Sequence, residues 1–237
     1  MKYVLPISLC FVLLTGCLYP NEELVQNQIP HEDQIQMVQH AVDQYVEAND
    51  GRVPIVTKPA ETPIFEKYII DFDLLKNAGL LSSIPGNAFE NGGIYKYVLI
   101  TPEENPQVKL IDLRLSDQLR TLNFQLQQYR NKYIYPPFGD RITNGVHLIN
   151  YEELGLKEPP TVTSPYSQTN LPIIMDTTGQ IHIDYRIDLH QALQEYDHNY
   201  EPGDDIRYIL AENTPFVPSY SLPYTIENDE PIFLIEN

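Results

Sequence analysis

An apolar run of 11 residues near the amino terminus, Val4 to Leu14, constrains this 237-residue chain more than any other feature. Lys2 supplies a single positive charge ahead of it. A membrane-spanning helix needs about 20 apolar residues, whereas an apolar stretch of about 7 to 15 after a positive charge is typical of a secretory signal segment. We therefore expect residues 1–16 to be a signal peptide and the rest of the chain to fold outside the cytoplasm.

The residues that end this run, Leu14-Thr15-Gly16-Cys17, resemble the lipobox of bacterial lipoproteins. In such signal peptides small residues give the peptidase access to the bond before a cysteine whose thiol carries diacylglycerol. The resemblance implies cleavage before Cys17, lipidation of Cys17 and anchoring to the cell membrane on its extracytoplasmic face. The alternative is an ordinary secretory signal that contains a cysteine by chance.

Cleavage at this point would decide both the thiol chemistry and the charge of the mature chain. Cys10 would leave with the signal peptide and Cys17 would carry lipid, so no thiol would remain for a disulfide, a nucleophile or a metal. Loss of Lys2 would take the formal charge from −18 to −19. Nucleic-acid binding depends on clustered Lys and Arg, so this acidic chain predicts no nucleic-acid partner.

Residues 17–32 are predicted to be the lipidated cysteine and a polar tether. The 13 residues from Leu18 to Pro30 reach at most ~45 Å when fully extended. Anionic lipid headgroups would repel an acidic domain, which favours a domain that stands off from the membrane. Alternatively, the acidity only keeps the domain soluble.

The remainder predicts an α+β fold, with helices packed on short antiparallel strands. Apolar residues at helical spacing predict three helices, and alternating or β-branched runs predict strands. The predicted helices cover 33–49, 116–132 with Ser116 as its cap, and 188–199; the predicted strands cover 94–100, 180–187, 206–210 and 231–235.

The order of these elements predicts two weakly repeated α-β-β units. Residues 68–75 can be laid over residues 147–154 with apolar, polar and aromatic positions in register. The alternative is that two α+β segments share a commonplace pattern. We assign residues 33–157 to the first unit and the start of the second, and residues 158–237 to the rest of the domain with its Pro/Tyr-rich carboxy-terminal segment.

Residues with catalytic potential form no recognisable motif. Gly-x-Ser-x-Gly, Ser-x-x-Lys and His-Glu-x-x-His are absent, and we predict no catalytic residue and no cofactor. Asp71 and Asp73 would share a strand face, although polar alternation explains them better than acid/base chemistry. The only candidates for metal ligands are weak, since the spacing of a calcium loop is missing and a solvated acidic loop is the preferred interpretation. They are His190, Asp197, His198 and Asp204, with Glu195, Glu201 and Asp205 nearby.

Two segments rich in Tyr and Pro, residues 133–138 and 215–224, are candidates for a binding surface. Tyrosine combines apolar area with a hydroxyl group and loses little side-chain entropy on binding. Filling of the core is the alternative role for these rings.

Three stretches of the chain resemble the YphF-like lipoproteins of spore-forming Gram-positive bacteria. They are Cys17-Leu18-Tyr19-Pro20, residues 34–44 followed by Tyr45, and residues 63–68. The resemblance implies a lipoprotein and transfers no functional residue. Together with the absent motifs it predicts a membrane-anchored, non-enzymatic domain that binds an envelope protein. The alternatives are a solute-binding component of a transporter and, third, an envelope hydrolase.

Overall fold

The computed structural model describes residues 31–234 of the chain. The predicted α+β class is confirmed, because helices pack on strands whose ladders are all antiparallel. The signal peptide, Cys17 and the tether before His31 lie outside the described residues, so the predictions for them stay predictions. No helix within residues 31–234 is both long enough and apolar enough to cross a membrane.

Residues 31–112, which we name the N-terminal unit, consist of a long helix packed on a hairpin. The elements are α1 (His31–Ala48), α2 (Ile64–Lys67), α3 (Phe72–Asn77), a 3₁₀ turn (Phe89–Asn91), β1 (Tyr95–Ile100) and β2 (Gln107–Asp112). Val38 and Val42 lie one turn apart on α1 and are buried in the same cluster as Val108 and Leu110 of β2. Helix α1 ends at Ala48, and the turn that follows closes at Gly51, the predicted left-handed cap, whose φ is +81° and whose N–H donates to the Val46 carbonyl.

Residues 113–234, the C-terminal unit, pack helices on a five-stranded sheet. The elements are α4 (Leu113–Lys132), β3 (Phe138–Thr143), β4 (Val146–Ile149), β5 (Thr161–Thr163), β6 (Asn170–Asp176), β7 (Ile181–Ile183), α5 (Arg186–Glu195), α6 (Tyr208–Asn213), β8 (Tyr224–Glu227) and β9 (Glu230–Phe233). Strand β6 pairs with β4, β5 and β7, and β8 pairs with β9. Leu115, Leu119, Leu122 and Leu126 form the buried face of α4, because spacings of three and four residues return to one side of a helix.

The segment that follows α6 joins the two units. The Leu110 N–H of β2 donates to the Pro215 carbonyl at 2.9 Å, and the Val217 N–H donates to the Leu110 carbonyl at 3.0 Å. Residues 215–217 thus extend the β1–β2 hairpin on the free side of β2. An apolar cluster behind this pairing combines Phe65, Val98 and Ile111 with Ala211 and Val217. The predicted division of the domain between residues 157 and 158 stays a prediction. In the structure one large apolar cluster draws on residues before Asp112 and another on residues after it.

The order of elements recurs between the two units. Each unit begins with a long helix, followed by a short β segment that ends in Ile70 or in Ile149. A turn capped by Asp71 or by Asn150 comes next, and then a glycine with φ near +70°. A hairpin and an aspartate complete the order. The glycines are Gly79 and Gly155, the hairpins are β1–β2 and β6–β7, and the aspartates are Asp112 and Asp184. Strands β3 and β5 have no counterpart in the N-terminal unit.

Several predicted element boundaries are wrong, because aspartate side chains begin helices earlier in the chain than the apolar pattern indicates. Helix α4 begins at Leu113, since the Asp112 carboxylate accepts from the Arg114 N–H at 3.0 Å; Ser116 instead donates back to the Leu113 carbonyl. The predicted strand 180–187 ends at Ile183, and α5 spans Arg186–Glu195 rather than 188–199.

Two further segments have the wrong predicted secondary structure. Residues 206–210 are not a strand: Ile206, Ile209 and Leu210 are buried at the spacing of a helical face, and α6 spans Tyr208–Asn213. Asp71 and Asp73 do not share a strand face either, since the Asp71 carboxylate caps α3 by accepting from the Asp73 and Leu74 N–H groups. The last strand begins one residue earlier than predicted and spans Glu230–Phe233; residue 235, the predicted end, lies outside the described residues.

Candidate functional site

The most exposed apolar surface in the described chain is the connection between α4 and β3. We call Tyr133, Ile134 and Tyr135 the aromatic tip; their side chains are 40%, 102% and 65% exposed. The first of the two predicted Tyr/Pro segments therefore lies at the surface. A fully exposed isoleucine beside two exposed tyrosines is the kind of patch that marks an interaction site.

The base of the aromatic tip is firmly held. The Tyr133 N–H donates to the Tyr129 carbonyl at 2.8 Å, and the two rings lie 4.4 Å apart. On the other side, the Asn150 N–H of the neighbouring chain segment donates to the Pro137 carbonyl at 2.8 Å. Pro136 packs directly on Gly179, where a Cβ atom would lie 2.4 Å from the proline ring. Contacts on both sides therefore fix the backbone at the base of the tip.

The charges around the aromatic tip differ in sign from those of the whole chain. Arg130 and Lys132 occupy the last turn of α4, and the Lys132 ammonium lies 5.0 Å from the centre of the Tyr133 ring. No Asp or Glu occurs between Gln118 and Gly139 in a chain of net charge −18. The nearby acid Glu153 accepts a hydrogen bond from Tyr129, and this bond raises the pKa of the phenol to about 12. The tip is thus a local basic and aromatic surface on an acidic protein.

The second Tyr/Pro segment, residues 215–224, fills the core instead of forming a surface. Val217 and Tyr224 are fully buried, and the Tyr224 hydroxyl accepts from the Tyr185 N–H at 3.1 Å. The Tyr220 N–H donates to the Glu66 carboxylate at 2.9 Å, and burial raises the pKa of Glu66. As a binding surface this candidate is wrong; the segment joins the two units.

The weak metal-ligand candidates do not converge. The His190 imidazole pairs with Glu230 at 3.0 Å, and Asp204 accepts from the Glu201 N–H at 2.8 Å. His198 stacks on Tyr200, and its buried Nδ1 has no hydrogen-bond partner. Asp197 is exposed. Among residues 31–234, no three His, Cys, Asp or Glu side chains lie close enough together to hold a metal ion.

Three aspartates that precede helices are engaged by the arginine two residues later. In each pair the arginine N–H and guanidinium both donate to the carboxylate: Asp112 with Arg114, Asp184 with Arg186, and Asp205 with Arg207. The closest contacts are 2.5 to 2.6 Å, a two-pronged geometry typical of strong ion pairs. These carboxylates shape the chain at helix starts and are occupied there. The repeated Asp-x-Arg motif is a sequence signal for these turns that the motif search missed.

A cavity of mixed polar and apolar lining next to residues 215–216 was also missed by sequence reasoning. Its volume is about 350 Å³, and Tyr166, Asp188, Gln191 and Phe216 contribute to its wall. Asp188 is only 2% exposed and accepts hydrogen bonds from Ser164 at 2.8 Å and Ser167 at 2.6 Å. Burial raises the pKa of Asp188, while these two bonds oppose the shift. Ser164, Ser167 and Asp188 are remote in sequence, so no local motif marks the site.

The cavity presents a carboxylate that could recognise a donor group, with two serine hydroxyls already bonded to it. No Lys, Arg or His in the described part of the chain forms an ion pair with Asp188. The Tyr166 hydroxyl is buried without a hydrogen-bond partner, and burial raises the pKa of Tyr166 well above its usual value. A carboxylate and an unpaired hydroxyl in a small cavity suit a ligand that carries an amine or hydroxyl group.

Comparison with known families agrees with the N-terminal unit. Residues 31–112 match the YphF family N-terminal domain, and this stretch ends at the last residue of β2. Over this stretch, about a third of the chain, the sequence is similar to that family. No curated protein and no solved structure matches it.

Proposed function

We propose that this protein is a lipid-anchored extracytoplasmic domain that works by binding, with the aromatic tip as its binding surface. The exposure of Ile134 is the observation that carries the proposal. Leu14-Thr15-Gly16-Cys17 supports the anchor, and the match of residues 31–112 to the YphF family supports a lipoprotein of that kind. We place the domain outside the cytoplasm and attached to the cell membrane through Cys17.

A rigid, exposed surface favours binding, because little conformational entropy is lost when it meets a partner. The tip has this property, since Tyr133, Pro136 and Pro137 are all held by contacts at its base. Four carboxylates, Asp71, Asp112, Asp184 and Asp205, are instead used locally, in the cap of α3 and in the Asp-x-Arg pairs. The geometry thus supports recognition better than catalysis.

The anchor is tested by Cys17→Ala in the full chain, expressed in its native host. We expect wild type to sediment with membranes and its first mature residue to carry acyl groups by mass spectrometry. The variant should lose both properties, apart from any fraction held by an uncleaved signal peptide. Wild type without acyl groups at Cys17 would contradict the anchor.

The binding surface is tested by photo-cross-linking in intact cells from position 134, with position 187 as the control. Ile187 is also an exposed isoleucine, at 44%, but lies on α5 rather than in the aromatic tip. We expect a discrete adduct from position 134 and none from position 187. An envelope protein is the partner predicted from the sequence. Equal, diffuse labelling from both positions under several growth conditions would count against the tip.

A second candidate function, solute binding, rests on the Asp188 cavity. A buried carboxylate that faces no cation is costly unless a ligand supplies a donor. A panel of small amines and hydroxylated metabolites should then raise the melting temperature of wild type and leave Asp188→Asn unchanged. Stabilisation of neither protein would remove this candidate. No observation within residues 31–234 favours the third class, an envelope hydrolase.

A further inference from the structure

We infer that the aromatic tip docks onto the anionic lipid headgroups of the membrane that carries the acylated Cys17. This inference rests on the proposed function and names the partner of the same surface. The occupant is the lipid surface itself, and an envelope protein at the tip is the competing outcome of the test.

Charge complementarity is the first argument for lipid. Arg130 and Lys132 occupy the last turn of α4 beside the tip, and the nearby Glu153 is engaged by the Tyr129 hydroxyl, although acids outnumber bases 33 to 15 in the whole chain. Anionic lipid attracts each Lys or Arg near its surface, and it repels the acidic remainder of the domain. The field of such a membrane would therefore turn this end of α4 toward it and the rest of the domain away. The stand-off expected from the net charge then holds for every surface except the tip.

The composition of the aromatic tip is the second argument. Tyrosine favours the boundary between headgroups and acyl chains, where its ring is apolar and its hydroxyl stays hydrated. Here two tyrosines flank a fully exposed isoleucine, and the Lys132 ammonium lies over the ring of one of them. From its apex to its base the tip has an apolar residue, then aromatic residues, then cations. This order matches the acyl chains, the interface and the charged headgroups of a bilayer.

The shape of the aromatic tip distinguishes lipid from a folded protein. A side chain 102% exposed makes no contact with a groove or a rim of its own protein. A protein partner would have to supply the whole pocket, whereas lipid packs around a convex apolar residue without a preformed pocket. The firmly held base presents Ile134 at the end of α4, ahead of the following strand β3.

The tether gives the domain room to turn above the membrane that holds the anchor. Its 13 residues span up to ~45 Å when fully extended. The lipid anchor would raise the local concentration of headgroups at the tip, so that a weak contact suffices.

The test uses the full mature protein, purified with its acyl groups and reconstituted into vesicles of phosphatidylcholine with or without phosphatidylglycerol. Ile134→Cys is labelled with a polarity-sensitive fluorophore, which is practical because acylation leaves the mature chain without another thiol. Ile187→Cys is the matched control. With phosphatidylglycerol present, we expect a blue-shifted emission and quenching by brominated lipid at position 134 only.

Charge variants sharpen the measurement. Lys132→Gln should lower the equilibrium between docked and free tip about fivefold in vesicles with phosphatidylglycerol. It should have no effect in phosphatidylcholine alone. Glu195→Gln, at an exposed acid of α5, should leave the docking equilibrium unchanged.

The outcomes separate the inference from the proposed function. If Cys17 carries acyl groups but the label at position 134 stays as water-exposed as the label at 187, the inference is wrong and the anchor stands. A protein adduct from position 134 in cells, with no lipid contact in vesicles, overturns the inference and supports the proposed function. Absence of acyl groups at Cys17 overturns both.

Discussion

Residues 133–138 and 215–224 look alike in the sequence, yet the fold uses them in opposite ways. Both contain tyrosines and prolines, but Ile134 and Tyr135 are exposed while Val217 and Tyr224 are fully buried. The difference lies in the backbone partners. Residues 215–217 pair with the free side of β2 and so are drawn into the core, whereas residues 133–135 connect α4 to an edge strand. Composition alone does not decide which of two such segments becomes a surface.

The same substitution in both segments should give the largest contrast. Tyr224→Ala should lower the free energy of unfolding by about 3 to 5 kcal/mol, because it opens a cavity among buried rings and removes the acceptor for the Tyr185 N–H. Tyr135→Ala at the exposed tip should change it by less than about 0.5 kcal/mol. Urea unfolding measures both, and equal losses would contradict the assignment of core and surface.

A substitution at the base of the aromatic tip should lower the free energy of unfolding far more than a substitution at the tip itself. Gly179→Ala would place a Cβ atom against Pro136, and the proline ring cannot rotate away. We expect a loss about 1 to 3 kcal/mol greater than that of Gly145→Ala. Gly145 is the matched control, since its φ of +78° is close to the +80° of Gly179 and no atom lies within 4 Å of the added Cβ. Equal melting temperatures for the two variants would show that Pro136 moves freely.

Lys109, which binds the buried segment, should contribute more to the free energy of unfolding than Lys132 beside the tip. The Lys109 ammonium donates to the Glu212 and Thr214 carbonyls, both at 2.9 Å. Lys109→Met keeps the apolar stem and removes both bonds, for a loss of about 1.5 to 3 kcal/mol. Lys132→Met, at an exposed position, should be neutral within about 0.5 kcal/mol. A neutral Lys109→Met would mean that residues 212–217 stay on β2 without it.

The smallest effect concerns the pH dependence of stability. Burial raises the pKa of Glu66 above its ordinary 4.5, so the folded state binds its proton more tightly than the unfolded chain. The stability that Glu66 contributes is present below pH 4.5 and is lost as the pH rises through the raised pKa. The glutamine of Glu66→Gln can still accept from the Tyr220 N–H but does not titrate. The variant should therefore lose the part of the decrease in stability with rising pH that Glu66 causes. Parallel urea series between pH 4 and 7 measure the difference; identical profiles would contradict it.

The sequence predicts those parts of the fold that depend on local pattern. Helix α1, the left-handed turn at Gly51 that follows it and strand β1 follow from apolar spacing and one glycine. The pattern failed where a tertiary partner or an aspartate side chain decides the backbone, as at Asp112 and Asp184. Residues 206–210 read as a strand because β-branched and aromatic residues alternate there, yet burial of Ile206, Ile209 and Leu210 against the C-terminal core makes the segment helical.

The candidate sites also differ in whether local sequence could predict them. The Tyr/Pro composition of residues 133–138 identified an exposed surface, but the same reasoning applied to residues 215–224 was wrong because pairing with β2 is invisible in local sequence. The Asp188 cavity could not be predicted, since it assembles residues from the loop after β5, from α5 and from the segment after α6. The acidic run near His190 drew attention to ligands that the fold keeps apart.

The pairing of Leu110 with residues 215–217 has a consequence for how this protein can be divided. The family match stops at Asp112, but a fragment that ends there would lack the strand that covers β2 and would expose Leu110 and Ile111 along an open sheet edge. The unpaired backbone groups of such an edge form hydrogen bonds with strands of other molecules. Truncation at the family boundary should therefore give a self-associating fragment, and the unit of expression is the chain through β9.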